Sequence, residues 1–594
     1  MKKVIYILAT VIMAASCQMD FYRSDTMTST MLQSNPGAAV YTTDGLYSMF
    51  KDVLLFEGSE YSNNTWVKHY FQLTEFRGDN VAQGRASEDP FTEIMNYEDN
   101  NTLYNLGYFW YVSYKILFGA NSNIEAIEKA EQTAEAQTLL GENYFIRAFV
   151  HFSLATIYAR PYYVEGRPKN DGQPCVVLRT STDCSVTEKA TVGQVYEQVE
   201  KDCLKAYDLL KDKTRRGNNG YVGWEAPLAL LSRLYLYKGD WDKCIQYSEQ
   251  LLGSDPKSHL DSNLDGYFAG AQTSKETIWC INRSINDYQY SQHAQLGSMY
   301  YSSNGVGGIG WCEIYATEPL MDLLYRWPDD KRRDAWFAYA APIEGQYMVS
   351  WPEKQDASLD YRLNIMITSS KNTDGTYTPN VTPNGDGTFT AQSGSNTYLI
   401  KKVTVNKDVK YYIEGFETDA EDQDDITGGT RVFVRTAQDN AKGTRLTMPA
   451  YMCKKFTGQD GEELLSSNVF FRYGETVLNA AEAYAHKNDK VNAIKYMNYM
   501  RERAGLSGDA LYTETNLSAS GYDNVLDAVI DERRIELMYE GFRQLDLYRN
   551  GKQINRRYAG VHKWEIISLD DLDAKFPVHI PYAETTASGI TSNK

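Results

Sequence analysis

The sequence has few basic residues, few histidines and few prolines for its length. Lysine and arginine number 60 against 78 aspartates and glutamates, a net charge of −18 over 594 residues. Because phosphate binding needs a basic surface, we expect no nucleic-acid partner. The seven histidines show no metalloprotease or triad-like spacing, and His151 is predicted to lie in an apolar core. The 16 prolines form no linker, so we expect one large body or two interleaved subdomains.

The eight cysteines are too scattered to suggest a metal site or a disulfide scaffold. Zinc sites usually need a Cys-x-x-Cys spacing, and the sequence contains none. Cys175 and Cys184 share a polar segment and form the single pairing that the sequence suggests. If Cys17 carries a lipid, an odd number remains, so at least one thiol stays unpaired.

The start of the chain has the composition of an export signal. Lys2 and Lys3 precede an apolar run at residues 4–13, and small residues lead into Cys17. The run is too short to span a bilayer. The Ala-Ala-Ser-Cys ending resembles a bacterial lipobox, which implies a signal peptide over residues 1–16 and a lipid on Cys17. Ordinary secretion with a free Cys17 is the alternative.

Helical patterns occur in antiparallel pairs. In the clearest pair, Leu230 and Leu234 share one apolar stripe, Gly239 and Asp240 turn the chain, and a return helix follows. This pattern resembles a tetratricopeptide repeat (TPR). Because such pairs bury their apolar faces by stacking, we expect about four of them in one curved scaffold. The predicted helices cover residues 35–57, 107–160, 191–256, 469–506 and 523–550.

A loop-rich insert, about residues 260–468, separates the helical pairs. Residues 398–405 and 431–435 alternate as short strands do, and the turn signals at 384–387 and 428–429 predict hairpins. The predicted fold is therefore mainly α, with a TPR-like scaffold of helical pairs and an irregular subdomain that carries short β-hairpins.

Residues 523–551 hold the densest pattern of the chain. Apolar positions recur at three- and four-residue spacing, which predicts one amphipathic helix. We interpret its acids and arginines as partly buried ion pairs that hold the packing, and not as catalytic groups. The segment resembles the signature motif of the SusD/RagB family. The motif is matched here by Glu532, Arg533, Arg534, Glu536, Leu537, Glu540, Gly541, Arg543, Asp546, Leu547 and Arg549. A second motif of the family is matched by Arg472, Tyr473, Glu475, Leu478, Ala481, Glu482 and Ala483. Residues 576–581 match the family's final element.

The resemblance covers nearly the whole mature chain, residues 17–594, and implies a function. Members of this family are lipid-anchored proteins at the surface of the outer membrane. Such a protein binds an oligosaccharide and delivers it to a SusC-like TonB-dependent transporter, with neither catalysis nor a cofactor. Three alternatives stay open: a peptide-binding protein on the same scaffold, a surface glycosidase, and a TPR-like adaptor without a small ligand.

Aromatic side chains are the strongest binding signal in the composition. The chain has 46 tyrosines, and a tyrosine ring offers a flat apolar face with a hydroxyl at its edge, which suits sugar rings. Rings at helical spacing are expected in the core, so rings in loops are the better candidates. In the family, the ligand platform is built from loops in two regions. The candidates there are Arg77, Asp79, Asn80, Arg85, Tyr97, Asn101, Tyr288, Tyr290, Tyr300, Tyr301, Trp311 and Trp351, with Trp311 as first choice.

Two further patterns match known sites without their context. Residues 305–310 read as a dinucleotide-binding fingerprint, but no suitable strand precedes them and no clear helix follows. The acids at 421–425 lack the ligand spacing of a calcium loop, so an exposed acidic loop is the better interpretation. We therefore predict no catalytic residues, no metal and no cofactor.

Overall fold

A computed structural model describes most of the chain from residue 37 onward. Outside its description lie residues 1–36, 59–63, 84–88, 291, 303–309, 340–346, 354–361, 367–368, 372–376, 394, 406–407, 415–429, 437–450, 559–561 and 564. The predicted signal peptide, Cys17, the fingerprint at 305–309 and the acidic loop at 421–425 fall in these gaps.

The described α-helices confirm the predicted helical scaffold. They are α1 Ala38–Lys51, α2 Trp66–Glu75, α3 Phe91–Met95, α4 Tyr104–Lys129, α5 Ala134–Tyr158, α6 Val192–Leu210, α7 Glu225–Lys238, α8 Trp241–Leu252, α9 Leu264–Tyr267, α10 Ile285–Tyr290, α11 Glu318–Tyr325, α12 Arg332–Trp336, α13 Tyr473–His486, α14 Lys490–Arg503, α15 Val525–Glu536, α16 Arg543–Arg549, α17 Leu569–Lys575 and α18 Tyr582–Ser588. Helices α4 and α5, α7 and α8, and α13 and α14 pack as pairs.

The turns within these pairs follow from local chemistry. Gly239 ends α7 in the left-handed conformation, with φ of 67°, which glycine adopts without strain. Asp240 then caps α8 by accepting a hydrogen bond from the Lys243 amide at 3.2 Å. Asp489 caps α14 in the same way, through the Asn492 amide at 3.1 Å. The sequence between the helices therefore fixes where each pair turns.

A cluster of large rings joins the helical pairs into one core. The ring centroid of Phe149 lies 5.0 Å from Trp279 and 5.1 Å from Phe470. Trp66 lies 5.8 Å from Phe149 with its ring tilted by 58°. The edge-to-face contacts of Phe149 with Trp279 and Phe470 stabilise the core beyond the apolar area that they bury. The predicted core residue His151 is also buried, and burial lowers its pKa to about 3.

The strands pair in antiparallel fashion and are short. They are β1 Val81–Gln83, β2 Pro174–Val177, β3 Lys189–Thr191, β4 Thr277–Ile281, β5 Ile314–Ala316, β6 Phe337–Tyr339, β7 Tyr347–Glu353, β8 Arg362–Met366, β9 Ser369–Lys371, β10 Tyr377–Pro379, β11 Val381–Pro383, β12 Phe389–Ser393, β13 Asn396–Val405, β14 Asp408–Ile413, β15 Thr430–Thr436, β16 Tyr451–Cys453, β17 Asn468–Arg472, β18 Ile554–Asn555 and β19 Ile566–Ile567. Strand β17 pairs with β4. The helix predicted from residue 469 therefore begins at Tyr473, after this strand.

Seven of the insert strands form one sheet in the order β11-β12-β13-β14-β15-β7-β8. The turn predicted at residues 384–387 connects β11 to β12, and the predicted strands at 398–405 and 431–435 are β13 and β15. The sheet has its own small core, formed by Val349, Val381, Phe389, Ala391, Ile400 and Ile413. The insert is thus more regular than separate hairpins would be.

The prediction of a single helix over residues 523–550 is wrong, because the helix is interrupted between α15 and α16. Tyr539 and Gly541 there have φ values of 66° and 85°. Glu75, at the end of α2, accepts hydrogen bonds from their amides at 3.2 and 2.8 Å. A buried carboxylate therefore takes the place of the carbonyl groups that a continuous helix would offer. Burial raises the pKa of Glu75 to about 7, against the lowering effect of these hydrogen bonds.

Two further findings concern the cysteines and the membrane. Cys175 is buried, Cys184 is exposed, and both are free thiols, so the suggested pairing is not made. Within the described part of the chain, none of the helices combines the length and apolar character needed to cross a membrane.

Candidate functional site

Four predicted site residues of the first loop region, Arg77, Asp79, Asn80 and Tyr97, lie inside the protein. Arg77 is buried and donates to the carbonyls of Phe576 and Lys575 at 2.6 and 2.9 Å. Its guanidinium lies 4.1 Å from the ring centroid of Tyr97, which is also buried. The Tyr97 hydroxyl donates back to the Arg77 carbonyl at 2.8 Å. These contacts attach the loop to the C-terminal part of the chain, so both residues have a structural role.

Asp79 and Asn80 belong to the same buried cluster. Arg543 Nε donates to Asp79 at 2.6 Å, and Arg534 lies 3.4 Å from the same carboxylate. Arg534 also donates to the Asn80 side chain at 2.8 Å. Desolvation would raise the pKa of Asp79, but the two guanidinium charges outweigh it and lower the pKa to about 2. The carboxylate is therefore charged at neutral pH and serves to neutralise two buried arginines.

The second loop region divides into buried and exposed rings. Tyr288 is buried against Leu464 and Leu465, and Tyr300 is buried with its ring 4.9 Å from that of Tyr539. Trp311, by contrast, keeps 40% of its surface exposed. Arg85 and the side chains of Tyr290 and Trp351 lie outside the described residues.

Trp311 forms a surface with the neighbouring ring of His293, which we call the Trp311 surface. The ring centroids of Trp311 and His293 are 4.6 Å apart, with planes inclined by 36°. The amide of the next residue, Cys312, donates to the Ser298 carbonyl at 3.0 Å, which holds the backbone beside the ring. Burial lowers the pKa of His293, and the charge of Lys68 lowers it further, so this ring is neutral at pH 7.

A second aromatic surface lies along α4 and was missed by the sequence analysis. We call it the α4 groove: a cleft of about 660 Å³ lined by Phe56, Glu57, Asn101, Thr102, Leu103, Tyr104, Gly107, Trp110, Tyr111, Tyr114, Lys115, Phe118, Pro581, Tyr582, Ala583 and Glu584. Exposed fractions of 39% for Tyr111, 51% for Phe118 and 59% for Tyr582 leave three rings open to solvent. The missed signal is the spacing of Tyr104, Tyr111 and Phe118, which repeats every seven residues on one helix face.

The structure thus separates the residues of the predicted platform. Arg77, Asp79, Asn80 and Tyr97 form the buried cluster. Tyr288 and Tyr300 are buried elsewhere, half-buried Tyr301 packs against Cys312, Tyr315 and Met452, and Trp311 forms the Trp311 surface. Asn101 lies at the α4 groove, where its backbone carbonyl accepts the Tyr582 amide at 2.8 Å. Among the predicted site residues whose side chains the structure describes, Trp311 and Asn101 are therefore the ones that lie at an aromatic surface open to a ligand.

The predicted ion pairs of the signature segment are confirmed, and they are more deeply buried than expected. Arg472 donates to Glu276 at 2.8 Å, to Glu536 at 2.7 Å and to Glu540 at 2.8 Å. Arg533 pairs with Asp546 at 2.9 Å. Each charge has an opposite partner within hydrogen-bond distance, which makes this network a packing device.

Two family models match the sequence over most of its length. The SusD family model matches residues 275–581. A second model, described as "Starch-binding associating with outer membrane", matches residues 59–236, which include the whole of α4.

Individual proteins resemble the chain in the same way. SusD-like protein P25 of Formosa agariphila is 36% identical over 527 residues, which cover 85% of this chain and 81% of the relative. SusD-like protein P2 of the same organism is 22% identical over 480 residues, covering 80% and 76%. A SusD superfamily protein from Bacteroides thetaiotaomicron has a TM-score of 0.63 at 20% identity, over 94% of this chain and 99% of that one. A SusD-like carbohydrate binding protein from Bacteroides vulgatus has a TM-score of 0.56 at 19% identity, over 87% and 84%.

Proposed function

The chain belongs to the SusD family, and from this membership we propose that it is a glycan-binding protein of the outer membrane surface. It binds a neutral oligosaccharide without chemical conversion and delivers it to a SusC-like TonB-dependent transporter. A lipid on Cys17 anchors it. The names of the related proteins and family models, which refer to carbohydrate and starch binding and to the outer membrane, support this proposal.

The exposed Trp311 ring is the observation that carries the sugar-binding proposal. Hydration of the exposed apolar face of this tryptophan is unfavourable in the free protein. A sugar ring stacked on that face would displace the water and recover this free energy. His293 beside the tryptophan adds a second aromatic ring, with its centroid 4.6 Å from that of Trp311. The backbone beside the ring is fixed, because the amides of Cys312 and Glu313 donate to the carbonyls of Ser298 and Met299, each at 3.0 Å. A ring on a fixed backbone loses less conformational entropy on binding than a ring on a mobile loop.

The charge of the protein favours a neutral glycan over an acidic one. The whole chain carries a net charge of −18, which repels anions at a distance. His293 adds no positive charge at neutral pH, since burial lowers its pKa. An uronic acid or a sulfated sugar would therefore have no cationic partner from this ring.

Calorimetric titration of the Trp311→Ala variant tests the proposal. Soluble starch and maltoheptaose are the first probes, because one family model is described as starch-binding. Other neutral oligosaccharides (cellohexaose, laminarihexaose and xylohexaose) follow. For the probe that the parent protein binds, loss of the ring should weaken affinity by about 1–3 kcal/mol, roughly 5- to 150-fold.

Tyr41→Ala is the matched control, since this ring is 73% exposed on α1 and lines neither aromatic surface. It should bind like the parent. Equal affinity in Trp311→Ala and the parent would contradict a role for this surface, and a lower melting temperature with unchanged affinity would make Trp311 a packing residue.

A further inference from the structure

We propose that the α4 groove is a second carbohydrate site, which holds an extended neutral oligosaccharide separately from the Trp311 surface. This inference rests on the proposed function. The cleft of about 660 Å³ is of the size of small-ligand sites, which span roughly 300–1,000 Å³.

The rings of the groove are arranged along a line. Tyr104, Tyr111 and Phe118 follow one face of α4 at seven-residue steps, and each step rises about 10.5 Å along a helix. That interval is of the order of two linked sugar rings in an extended chain. Phe56 fills the position between Tyr104 and Tyr111, with ring centroids at 5.2 and 5.4 Å from them. Tyr104, Phe56 and Tyr111 thus form one contiguous aromatic patch, and Phe118 lies one further seven-residue step along α4.

The opposite wall comes from α18 and is fixed to α4. The indole Nε1 of Trp110 donates to the Glu584 carboxylate at 3.2 Å, and the Tyr582 amide donates to the Asn101 carbonyl at 2.8 Å. Below the floor, the Tyr114 hydroxyl donates to the Val177 carbonyl at 2.9 Å. These bonds join three distant parts of the sequence, so the groove exists before any ligand enters it.

The rim of the groove favours a polyol over an anion or an apolar molecule. It carries one cation, Lys115, and two carboxylates, Glu57 and Glu584, so both hydrogen-bond donors and acceptors are present with an excess of one negative charge. The side chains of Asn101 and Thr102 add uncharged polar groups at one end. Hydroxyl groups can accept hydrogen bonds from the lysine and the amide and donate to the carboxylates. The apolar floor therefore suits the CH faces of a pyranose chain, and the polar rim suits its hydroxyl groups.

The stoichiometry of binding tests this inference separately from the proposed function. Calorimetry uses the four oligosaccharides named above and compares the parent with Trp311→Ala, the double variant Tyr111→Ala/Phe118→Ala, and all three changes combined. We expect two molecules of one probe per parent protein, one per protein in the double variant, and none in the triple variant. Affinity at the groove should fall at least about tenfold for the loss of the two rings.

Folding controls are available because the rings are exposed. Tyr582→Ala removes a ring from the opposite wall and should also reduce the stoichiometry to one, whereas Tyr41→Ala should keep it at two. Melting temperatures of all variants establish that each one is folded.

Each other outcome has a definite meaning. One site in the parent, lost in Trp311→Ala and unchanged in the double variant, overturns the groove site and leaves the proposed function intact. One site lost in the double variant and kept in Trp311→Ala supports the groove and removes the Trp311 surface. Failure of every probe to bind the parent overturns both proposals. Unchanged stoichiometry in the double variant, with loss of a co-purifying transporter, makes the groove a protein contact and overturns the sugar site.

Discussion

Asp79 illustrates how much of this protein rests on single buried charges. Its carboxylate neutralises Arg534 and Arg543, which extend from the two helices of the signature segment. Burial would lower the pKa of Arg543, but the charge of Asp79 outweighs it and the pKa rises. For Arg534, burial outweighs the charge of Asp79 and the pKa is lowered. Arg543 is therefore the principal partner of Asp79, as its 2.6 Å contact also indicates.

Replacing Asp79 by Asn should destabilise the protein by about 3–5 kcal/mol at pH 7, because two buried guanidinium groups lose their counter-charge. The folded pKa of Asp79, about 2, lies below the value of about 4 in an unfolded chain. The carboxylate therefore stabilises above pH 4, and this contribution disappears as the pH falls toward 2. Urea unfolding at pH 7 and pH 3 measures the difference, which should shrink at the lower pH.

Asp208→Asn is the control for this prediction, because Asp208 pairs with Lys211 on the surface. Exposed pairs contribute about 0–1 kcal/mol, so its unfolding midpoint should hardly move at either pH. An Asp79→Asn variant as stable as the parent at pH 7 would show that the arginines find other partners.

Among the elements, the junction between α15 and α16 is the most constrained. Gly541 lies there at φ of 85°, and a Cβ at this position would meet Thr74 Oγ1 at 2.5 Å and Thr74 Cβ at 3.2 Å. Because α2 supplies both Thr74 and Glu75, the junction is shaped by a helix far away in sequence.

Gly541→Ala should therefore destabilise the protein by more than backbone strain alone. A residue with a Cβ at positive φ costs about 1–2 kcal/mol, and the contact with Thr74 adds to this because the neighbouring core is packed. Gly521→Ala is the matched control, since φ there is 89° with nothing within 4 Å of the added carbon. Chemical denaturation should show a clearly larger loss for Gly541→Ala, and equal losses would mean that α2 moves away.

At the scale of the whole molecule, the seven-stranded sheet forms a subdomain with a core separate from that of the helical body. Val349, Phe389 and Ile400 pack with other residues of the sheet, whereas the main core is formed by the helices. Tyr339 of β6 pairs directly with Tyr451 of β16, so the insert leaves and re-enters the body at adjacent strands. Its two ends are thus separated by about one strand spacing, roughly 5 Å.

Replacement of residues 340–450 by an Asn-Gly turn should leave the helical body folded. The turn would join β6 and β16 as a two-residue hairpin, which suits antiparallel strands. Circular dichroism should retain the helical signal, and the melting transition should remain cooperative. Retained oligosaccharide affinity in this shortened chain would place recognition on the body, whereas its loss would move recognition to the insert. An aggregated product would contradict the separation of the two cores.

Membrane attachment and transporter partnership are also properties of the whole molecule. Cys17→Ala should move the protein from the membrane fraction to the soluble fraction, because the variant lacks the atom that would carry the lipid.

The parent, purified from native membranes in mild detergent, should bring with it a large barrel protein through an interface of more than about 2,000 Å². Membrane binding by the Cys17 variant, or recovery of a monomer alone, would contradict the respective prediction.

Local chemistry made the helical scaffold predictable from the sequence. The turn at Gly239 and Asp240 needs a few neighbouring residues only, and the structure has it where expected. Strands β13 and β15 of the insert followed from alternation in the same way, and the turn between β11 and β12 followed from its Asn and Gly residues. Their union in one sheet did not follow, because the order of pairing depends on contacts between distant segments.

The sequence by itself determined the family, the helical pairs and the pairing of acids with arginines in the signature segment, because these depend on local order and composition. Tertiary structure decided which aromatic and polar residues face solvent. Tyr97 and Tyr300 are buried and Trp311 is exposed, although all three occur in loops. The α4 groove and the break before α16 each need contacts between segments more than 400 residues apart, Trp110 with Glu584 and Glu75 with Gly541. A pattern of neighbouring residues contains no information on such distant contacts, since the packing of the whole chain produces them.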